Sequence, residues 1–215
     1  MATDLYLIRH GQAYSNVEGS LGGELGDKGL TELGFTQARA LAARLEAEAF
    51  QADLLYASTL PRAWQTAEHV ARAIALPIIG DDELHELRPG DADGLLVSAA
   101  RERFPQMDRF LVETYTPIAP NGESWGSFQL RVAAALERIV LAHPDKRIVV
   151  VAHGGVIEVS FLHLLGLGPE QRVRTAFHMR NTAITHWRHT TTFAGRVEWQ
   201  LHTHNDAQHL AAIAG

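Results

Sequence analysis

Two histidines and two arginines stand at the ends of three apolar, strand-like runs of the sequence. Arg9 and His10 close the first run, Arg62 follows the second, and His153 follows the third. A neutral imidazole can attack phosphorus as a nucleophile, and a guanidinium presents a planar fork of donors that suits phosphoryl oxygens. Each residue alone is ordinary at the end of a strand, but the set together predicts chemistry on a phosphoryl group.

The three runs are the elements that must position these side chains. Residues 4–9, 53–57 and 146–152 are short, apolar and β-prone, and helix-like segments of ten or more residues separate them. This alternation predicts an α/β fold, a three-layer α/β/α sandwich with a mostly parallel sheet. Ligands of such folds bind outside the carboxyl ends of the strands. We therefore expect the two arginines and two histidines to converge there.

Helix signals fill the segments between the strands. Thr31 is placed to cap one helix, and Pro61 is expected near the first position of the next. The other predicted elements are helices over 95–114 (broken at Pro105), 127–143 and 156–165, and final strands over 182–187 and 196–202 that form an antiparallel edge. Residues 77–94 are too rich in Gly, Pro and Asp for a long element. The chain, 1–215, is interpreted as a single domain with an insertion at about 77–126 that covers the site.

The composition is that of an ordinary globular chain. Of the 215 residues, 46% are hydrophobic and 20% are charged, and the formal net charge is −6. The acidic balance argues against a nucleic-acid partner, and no apolar run approaches the ~18 residues of a membrane span. The absence of cysteine excludes a disulfide scaffold and a cysteine nucleophile. The N-terminus lacks the features of a signal peptide, so we expect a cytoplasmic protein that binds neither nucleic acid nor membrane.

Several sequence blocks together resemble the signature of the histidine phosphatase superfamily, which includes cofactor-dependent phosphoglycerate mutases and fructose-2,6-bisphosphatases. The first block is LIRHGQ at residues 7–12, followed by Asn16. The others are LT at 30–31 with Gly34 and QA at 37–38, STLPRAWQTA at 58–67, LHE at 84–86, GES at 122–124 and HGG at 153–155. Their order and spacing make the resemblance specific, and it implies a phosphoglycerate mutase-like fold.

The resemblance implies a role for each residue that matches the motif of the family. His10 is the implied nucleophile, which forms a phosphohistidine, and Glu86 is the implied proton donor to the leaving group. The implied catalytic set is Arg9, His10, Arg62, Glu86 and His153, and the implied phosphate-binding set is Arg9, His10, Gln12, Asn16, Arg62, His153 and Gly154. Asp82 and Glu83 stay open as alternatives to Glu86 under a shifted alignment. The resemblance implies no cofactor and no metal.

Two positions bear on the type of reaction. Family mutases have Glu at the position of Gln12 and a longer insertion over the site, so the resemblance favours a phosphatase that hydrolyses small phosphomonoesters. A cofactor-dependent phosphoglycerate mutase that uses the same site is the alternative. Ala13 stands where the family usually has Thr or Ser, so a hydroxyl that supports the phosphate loop is missing, although Asn16 is retained.

The sequence leaves the substrate open, and it leaves a homodimer open as well. Four arginines are either candidates for binding a second anionic group or solvated surface residues: Arg88, Arg101, Arg103 and Arg109. Four aromatic residues either wall an apolar pocket or pack in the core, and core packing is the preferred interpretation: Phe104, Phe110, Tyr115 and Trp125.

Two rival functions compete with this hypothesis. A metal hydrolase is suggested by the 12 histidines, with His202 and His204 on one face of a predicted strand. Neither HExxH nor HxHxDH occurs, however, and scattered surface histidines are the preferred interpretation. A non-catalytic module that binds a phosphorylated ligand would need only Arg9 and Arg62, whereas this chain also keeps the implied nucleophile and proton donor.

Overall fold

A six-stranded mixed sheet forms the centre of the chain in a computed structural model, which describes residues 2–170, 176–211 and 213. The strands are β1 (Ala2–Arg9), β2 (Leu54–Ala57), β3 (Ile78–Gly80), β4 (Arg147–Ala152), β5 (Ile184–Thr191) and β6 (Val197–Asp206). They lie in the order β3-β2-β4-β1-β5-β6; β1 to β4 are parallel, whereas β5 and β6 are antiparallel. The prediction of a mostly parallel sheet with an antiparallel edge is confirmed.

The described residues form seven α-helices. These are α1 (Tyr14–Glu18), α2 (Glu32–Ala47), α3 (Pro61–Ile74), α4 (Val97–Arg103), α5 (Gln106–Phe110), α6 (Trp125–Ala142) and α7 (Gly154–Leu164). Short 3-10 turns lie at Asp82–Leu84, Gly90–Ala92 and Gln208–Leu210. Within the described ranges, none of these helices combines the length and the apolar character that a membrane crossing requires.

Helices cover both faces of the sheet. Successive residues of a strand point to opposite faces, and β4 illustrates the result. Val149 belongs to a buried cluster with residues of α2 and α3, among them Leu41. Val150 belongs to a second cluster with residues of α6 and α7, among them Phe128. The predicted three-layer α/β/α sandwich is therefore confirmed.

Capping residues set the helix starts. The side chain of Thr31 accepts a hydrogen bond from the backbone N–H of Gly34 at 3.1 Å at the start of α2, and Pro61 is the first residue of α3, as predicted. Helix α6 begins two residues earlier than predicted, because the side chains of Ser124 and Ser127 each accept the other's backbone N–H. Helix α7 also begins two residues earlier than predicted.

Strand β3 was missed by the sequence analysis. It lies inside residues 77–94 and pairs in parallel with residues 55–57 of β2 at one edge of the sheet. A strand of three residues at a half-exposed edge is too short for its alternation of apolar and polar residues to be detected in the sequence. Between β3 and α6 the chain forms short helices and loops. That residues 77–126 are an insertion in a single domain of residues 1–215 stays a prediction.

Candidate active site

The carboxyl ends of β1, β2 and β4 bring four of the predicted side chains together. Arg9 is the last residue of β1 and His10 follows it, Arg62 lies in the first turn of α3, and His153 directly precedes α7. The ring centroids of His10 and His153 are 5.2 Å apart. Nε of Arg62 lies 3.2 Å from Nε2 of His10. Side chains that are far apart along the sequence thus form one cluster.

Hydrogen bonds define which nitrogen of His10 carries the proton. Nδ1 lies 2.6 Å from the carbonyl oxygen of Gly11, which can only accept, so Nδ1 is the protonated nitrogen. Nε2 accepts from Nε of Arg62 and therefore has a lone pair. Burial, and then the charges of Arg62 and Arg9, hold the pKa of His10 well below its usual value. The ring is a neutral imidazole whose nucleophilic nitrogen lies beside a cation.

Two buried nitrogens next to His10 have no hydrogen-bond partner among the described residues. They are Nδ1 of His153 and Nε of Arg9. Nε2 of His153 contacts Oγ of Ser58 at 2.8 Å, and Nη1 of Arg9 donates to the carbonyl oxygen of Met179. Burial lowers the pKa of both residues, and for His153 the charge of a neighbouring arginine lowers it further. Because buried polar atoms normally have partners, an anionic oxygen is the group these donors suit.

Arg62 is buried, and its hydrogen bonds are divided between His10 and the loop before α2. Nη1 donates to the carbonyl oxygen of Gly22 at 2.8 Å and to Oδ2 of Asp27 at 2.9 Å. No described residue accepts a hydrogen bond from Nη2, so Nη2 is the donor left for an anion. The sequence analysis missed Asp27, because one carboxylate in a glycine-rich stretch has the composition of a turn.

Glu86 lies at the N-terminus of α7. Its Oε2 accepts from the backbone N–H of Gly155 at 3.0 Å, and its Oε1 accepts from that of Leu87 at 3.0 Å. Asp82 and Glu83, the alternatives under a shifted alignment, do not line the cavity that Glu86 lines.

A cavity of about 210 Å³ brings these groups to solvent. Six of the predicted residues line it: Arg9, His10, Asn16, Arg62, Glu86 and Gly154. The remaining wall is made of Ser15, Ser20, Leu21, Gly22, Leu87 and Pro89. His153 does not line the cavity and is buried beside the His10 ring. The cavity thus joins a cationic end to a wall of hydroxyl, amide and aliphatic groups.

Asn16 and Gln12 differ in their placement. Oδ1 of Asn16 accepts from the backbone N–H of Ala13 at 3.0 Å, so the first turn of α1 is held although Ala13 has no hydroxyl. Gln12 lies outside the cavity wall. Its backbone N–H donates to Oε1 of Gln37 at 2.8 Å, and its side chain accepts from Oγ1 of Thr31 at 2.8 Å. The backbone N–H of Gln12, which was predicted to bind phosphate, is therefore already used within the protein.

Asn181 is a second residue that the sequence analysis missed. Its Nδ2 donates to the backbone carbonyl oxygen of His10 at 3.0 Å. The backbone N–H of the next residue, Thr182, donates to the carbonyl oxygen of Arg9 at 2.9 Å. These bonds fix the backbone that presents the two predicted phosphate ligands. No local signal could have identified Asn181, which is separated from His10 by 171 positions.

The side chains considered for substrate binding elsewhere have other contacts. Three arginines pair with carboxylates, in the pairs Arg88–Glu83, Arg101–Asp108 and Arg109–Glu113. Arg103 lies over the ring of Phe104 at 5.3 Å from its centroid. Three of the four aromatic residues are buried in the core, namely Phe104, Phe110 and Trp125, whereas Tyr115 is exposed. Core packing is thus confirmed for those three.

The histidines outside the site have separate partners. His186 contacts Asp4 at 2.7 Å, and His204 contacts Oγ1 of Thr185 at 3.2 Å. In the part of the chain that the structure describes, no three His, Asp or Glu side chains are placed to hold a metal ion.

Comparison with known proteins places this geometry in a family. The family model for the histidine phosphatase superfamily (branch 1) matches residues 5–206. A putative phosphoserine phosphatase 2 of Hydrogenobacter thermophilus is 33% identical over 184 residues, which are 84% of this chain and 87% of that protein.

Solved structures agree with the sequence match. The phosphoserine phosphatase of Entamoeba histolytica, in complex with 3-phosphoglyceric acid, is similar with a TM-score of 0.79 at 29% identity, over 97% of this chain and 99% of that one. A mycobacterial glucosyl-3-phosphoglycerate phosphatase, in complex with VO3, has a TM-score of 0.77 at 29% identity, over 94% of this chain and 98% of that one. The chain therefore belongs to branch 1 of the histidine phosphatase superfamily.

Proposed function

We propose that this phosphomonoester hydrolase transfers the phosphoryl group of its substrate to Nε2 of His10 and then to water. In the first step the Nε2 lone pair attacks phosphorus, the P–O bond to the alcohol breaks, and Glu86 donates a proton to the leaving oxygen. In the second step water attacks the phosphohistidine, Glu86 accepts a proton from that water, and the P–N bond breaks. Phosphate leaves, and both residues return to their starting states.

Three donors that have no partner among the described residues suit the phosphoryl group during transfer. They are Nη2 of Arg62, Nε of Arg9 and Nδ1 of His153. A phosphoryl group in transfer spreads negative charge over three oxygens, and donors already fixed in a buried site stabilise such charge most. The backbone N–H of Gly154 at the start of α7 and the side chain of Asn16 complete the proposed phosphate pocket.

The orientation of the His10 ring is the observation that supports this proposal most strongly. Its Nδ1 proton is bound to a backbone carbonyl, which leaves the lone pair on the other nitrogen. That nitrogen lies beside Arg62 in a cavity that also contains Glu86. A histidine with only a packing role has no need of a neighbouring cation, since the cation lowers its pKa.

We propose a small phosphomonoester as the substrate. The two structural neighbours are named for phosphoserine and for glucosyl-3-phosphoglycerate, so phosphate esters of small polar alcohols form the class to screen. Among the described residues, the wall formed by Ser15, Ser20, Leu21 and Leu87 contains no further cation. This supports an alcohol without a second phosphate group. The cytoplasmic location and a homodimer stay predictions.

Trapping the intermediate tests the proposal. The protein is incubated with a ³²P-labelled phosphomonoester and quenched in base, in which phosphohistidine is stable, and the modified nitrogen is identified by NMR of the denatured protein. We expect label on Nε2 of His10, because Nδ1 carries the proton that it donates to the carbonyl oxygen of Gly11. His10→Ala should lose both label and turnover. His163→Gln is the control, since His163 does not line the cavity and pairs with Glu137.

Two results would reject parts of the proposal. Label on another residue, or turnover that persists in His10→Ala, would eliminate His10 as the nucleophile. Phosphoglycerate mutase activity, measured in parallel, is the second assay. Transfer to a second phosphoglycerate that exceeds transfer to water across a panel of phosphomonoesters would replace the phosphatase by the mutase alternative.

A further inference from the structure

Asp27 and Arg62 form an ion pair that is almost completely removed from solvent. The side chain of Asp27 is 1% exposed and that of Arg62 is 4% exposed. Oδ2 of Asp27 lies 2.9 Å from Nη1 of Arg62 and also accepts from the Arg62 backbone N–H at 3.3 Å. Oδ1 accepts from the backbone N–H of Gly29 at 2.8 Å. The carboxylate is therefore fully used, and among the described residues its cationic partner is the arginine in the proposed phosphate pocket.

This ion pair determines which edge of the Arg62 guanidinium is free. Nη1 has two hydrogens, and Gly22 and Asp27 accept both. Nε is directed to Nε2 of His10. With respect to the described residues, the two hydrogens of Nη2 remain for a ligand. A guanidinium without the carboxylate could turn about the other bonds of its side chain, which would move Nε away from His10 and lose this arrangement.

We infer that Asp27 is a positioning residue, which holds Arg62 so that its Nε faces His10 while Nη2 is kept for the transferring phosphoryl group. The inference rests on the proposed function, because it assigns Asp27 a part in the same reaction. Asp27 does not line the cavity, and the hydrogen bonds of its side chain within the described residues go to Gly29 and Arg62 rather than to His10. Its effect on the reaction therefore has to pass through Arg62.

The rival interpretation is that Asp27 only holds the glycine-rich loop in place. The structure offers a matched control for this, because a second carboxylate holds the same loop. Asp93 accepts from the backbone N–H groups of Gly23, Leu25 and Gly26 at 2.7, 2.8 and 3.1 Å. Arg62 is not among its hydrogen-bond partners in the described residues. A loss of loop order alone should affect Asp27 and Asp93 variants alike.

A double-mutant cycle separates the two interpretations. The rate of His10 phosphorylation is measured in single-turnover experiments with labelled p-nitrophenyl phosphate for the wild type, Asp27→Asn, Arg62→Ala and the double variant. We expect Asp27→Asn to slow the step about 10- to 100-fold in the wild type and less than about threefold in the Arg62→Ala background. Asp93→Asn should slow it by the same factor in both backgrounds. An equal loss from Asp27→Asn in both backgrounds would overturn the inference.

A measurement on the unmodified protein keeps the inference testable if Asp27→Asn does not fold. The rotation of the Arg62 guanidinium is followed by NMR of its Nη resonances in the free wild-type protein. We expect separate, slowly exchanging Nη1 and Nη2 signals. A single averaged signal would overturn the inference. Labelling of His10 in the same preparation separates failure of the proposed function from failure of the inference about Asp27. An unlabelled His10 rejects the proposed function. A labelled His10, together with equal effects of Asp27→Asn in both backgrounds, rejects only the role of Asp27.

Discussion

The rings of His10 and His153 lie 5.2 Å apart with their planes at 59°, and neither is positively charged at neutral pH. Burial is the main cause, and the Arg62 charge lowers the pKa of both further. Two neutral imidazoles can have different roles at one phosphoryl group. His10 presents a lone pair, and His153 presents a hydrogen-bond donor.

Mild acid should therefore leave the first chemical step intact. Because the pKa of His10 is well below its usual value, the lone pair on Nε2 stays available as the pH falls from about 7.5 to about 6. We expect the rate constant of His10 phosphorylation, measured by rapid quench, to change less than about twofold after correction for ionisation of the substrate phosphate. A decrease of this rate constant with a midpoint near the ordinary histidine pKa would contradict the buried environment of the ring.

The free energy of unfolding should decrease on acidification, in part because of His209. Burial, and then the Arg44 charge, lowers the pKa of His209 to about 4. An unfolded histidine titrates near ~6.5, so between these values the unfolded chain binds the extra proton and acid favours unfolding. The contribution is at most about 1.4 kcal/mol per pH unit, and less here because His209 is only partly buried.

Urea denaturation of His209→Gln at several pH values checks this prediction. Gln can retain the hydrogen bond to Thr182, so the comparison isolates the titration. His10 and His153 act in the same direction in both proteins, and their effects cancel. We expect a flatter dependence on pH between about 6.5 and about 4 for the variant. Identical slopes would mean that His209 titrates normally in the folded protein.

Glu86→Gln should separate substrates by the quality of their leaving groups. An alkoxide needs a proton as the P–O bond breaks, whereas p-nitrophenolate leaves without one. We expect kcat for an alkyl phosphate to fall about 10²- to 10⁴-fold, with a much smaller loss for p-nitrophenyl phosphate. Both substrates slowing by the same factor would mean that another group donates the proton.

Two neighbouring glycines should respond differently to alanine. A Cβ at position 155 would collide with Oε1 of Glu86, whereas a Cβ at position 154 would lie 3.6 Å from Nε of Arg9, at an ordinary contact distance. Gly155→Ala should therefore lower kcat for alkyl phosphates in the manner of Glu86→Gln. Gly154→Ala should have a smaller effect. Circular dichroism verifies that both variants fold, and the reverse order of activity would refute the placement of Glu86.

Metal chelators should leave the hydrolysis rate unchanged. The proposed reaction uses arginine and histidine donors to neutralise the phosphoryl oxygens, a task that metal ions perform in many other phosphatases. The rate is measured before and after dialysis against EDTA, with and without added Mg²⁺ or Zn²⁺. Loss of activity that a metal restores would revive the metal-hydrolase alternative.

The parts of the site that could be predicted are those with a local signal. Arg9, His10 and His153 lie at the ends of buried strands. The rule that ligands bind at strand ends was enough to predict that these side chains lie close together. The contacts of Asp27 and Asn181 depend on residues 35 and 171 positions away, and no pattern near either residue reports such a contact. Short edge strands such as β3 are not predicted from the sequence for a related reason, since pairing with a neighbouring strand rather than composition defines them.

Strand β1 is synthesised well before both of the strands that pair with it. It pairs with β4, which starts at Arg147, and with β5, which starts at Ile184. At ~5–20 residues per second, the first of these partners appears roughly 7 to 28 s after β1 has been made. During that interval the apolar side chains of Leu5 and Leu7 have no sheet to enter. The nascent chain therefore carries an unpaired apolar strand until β4 has been made.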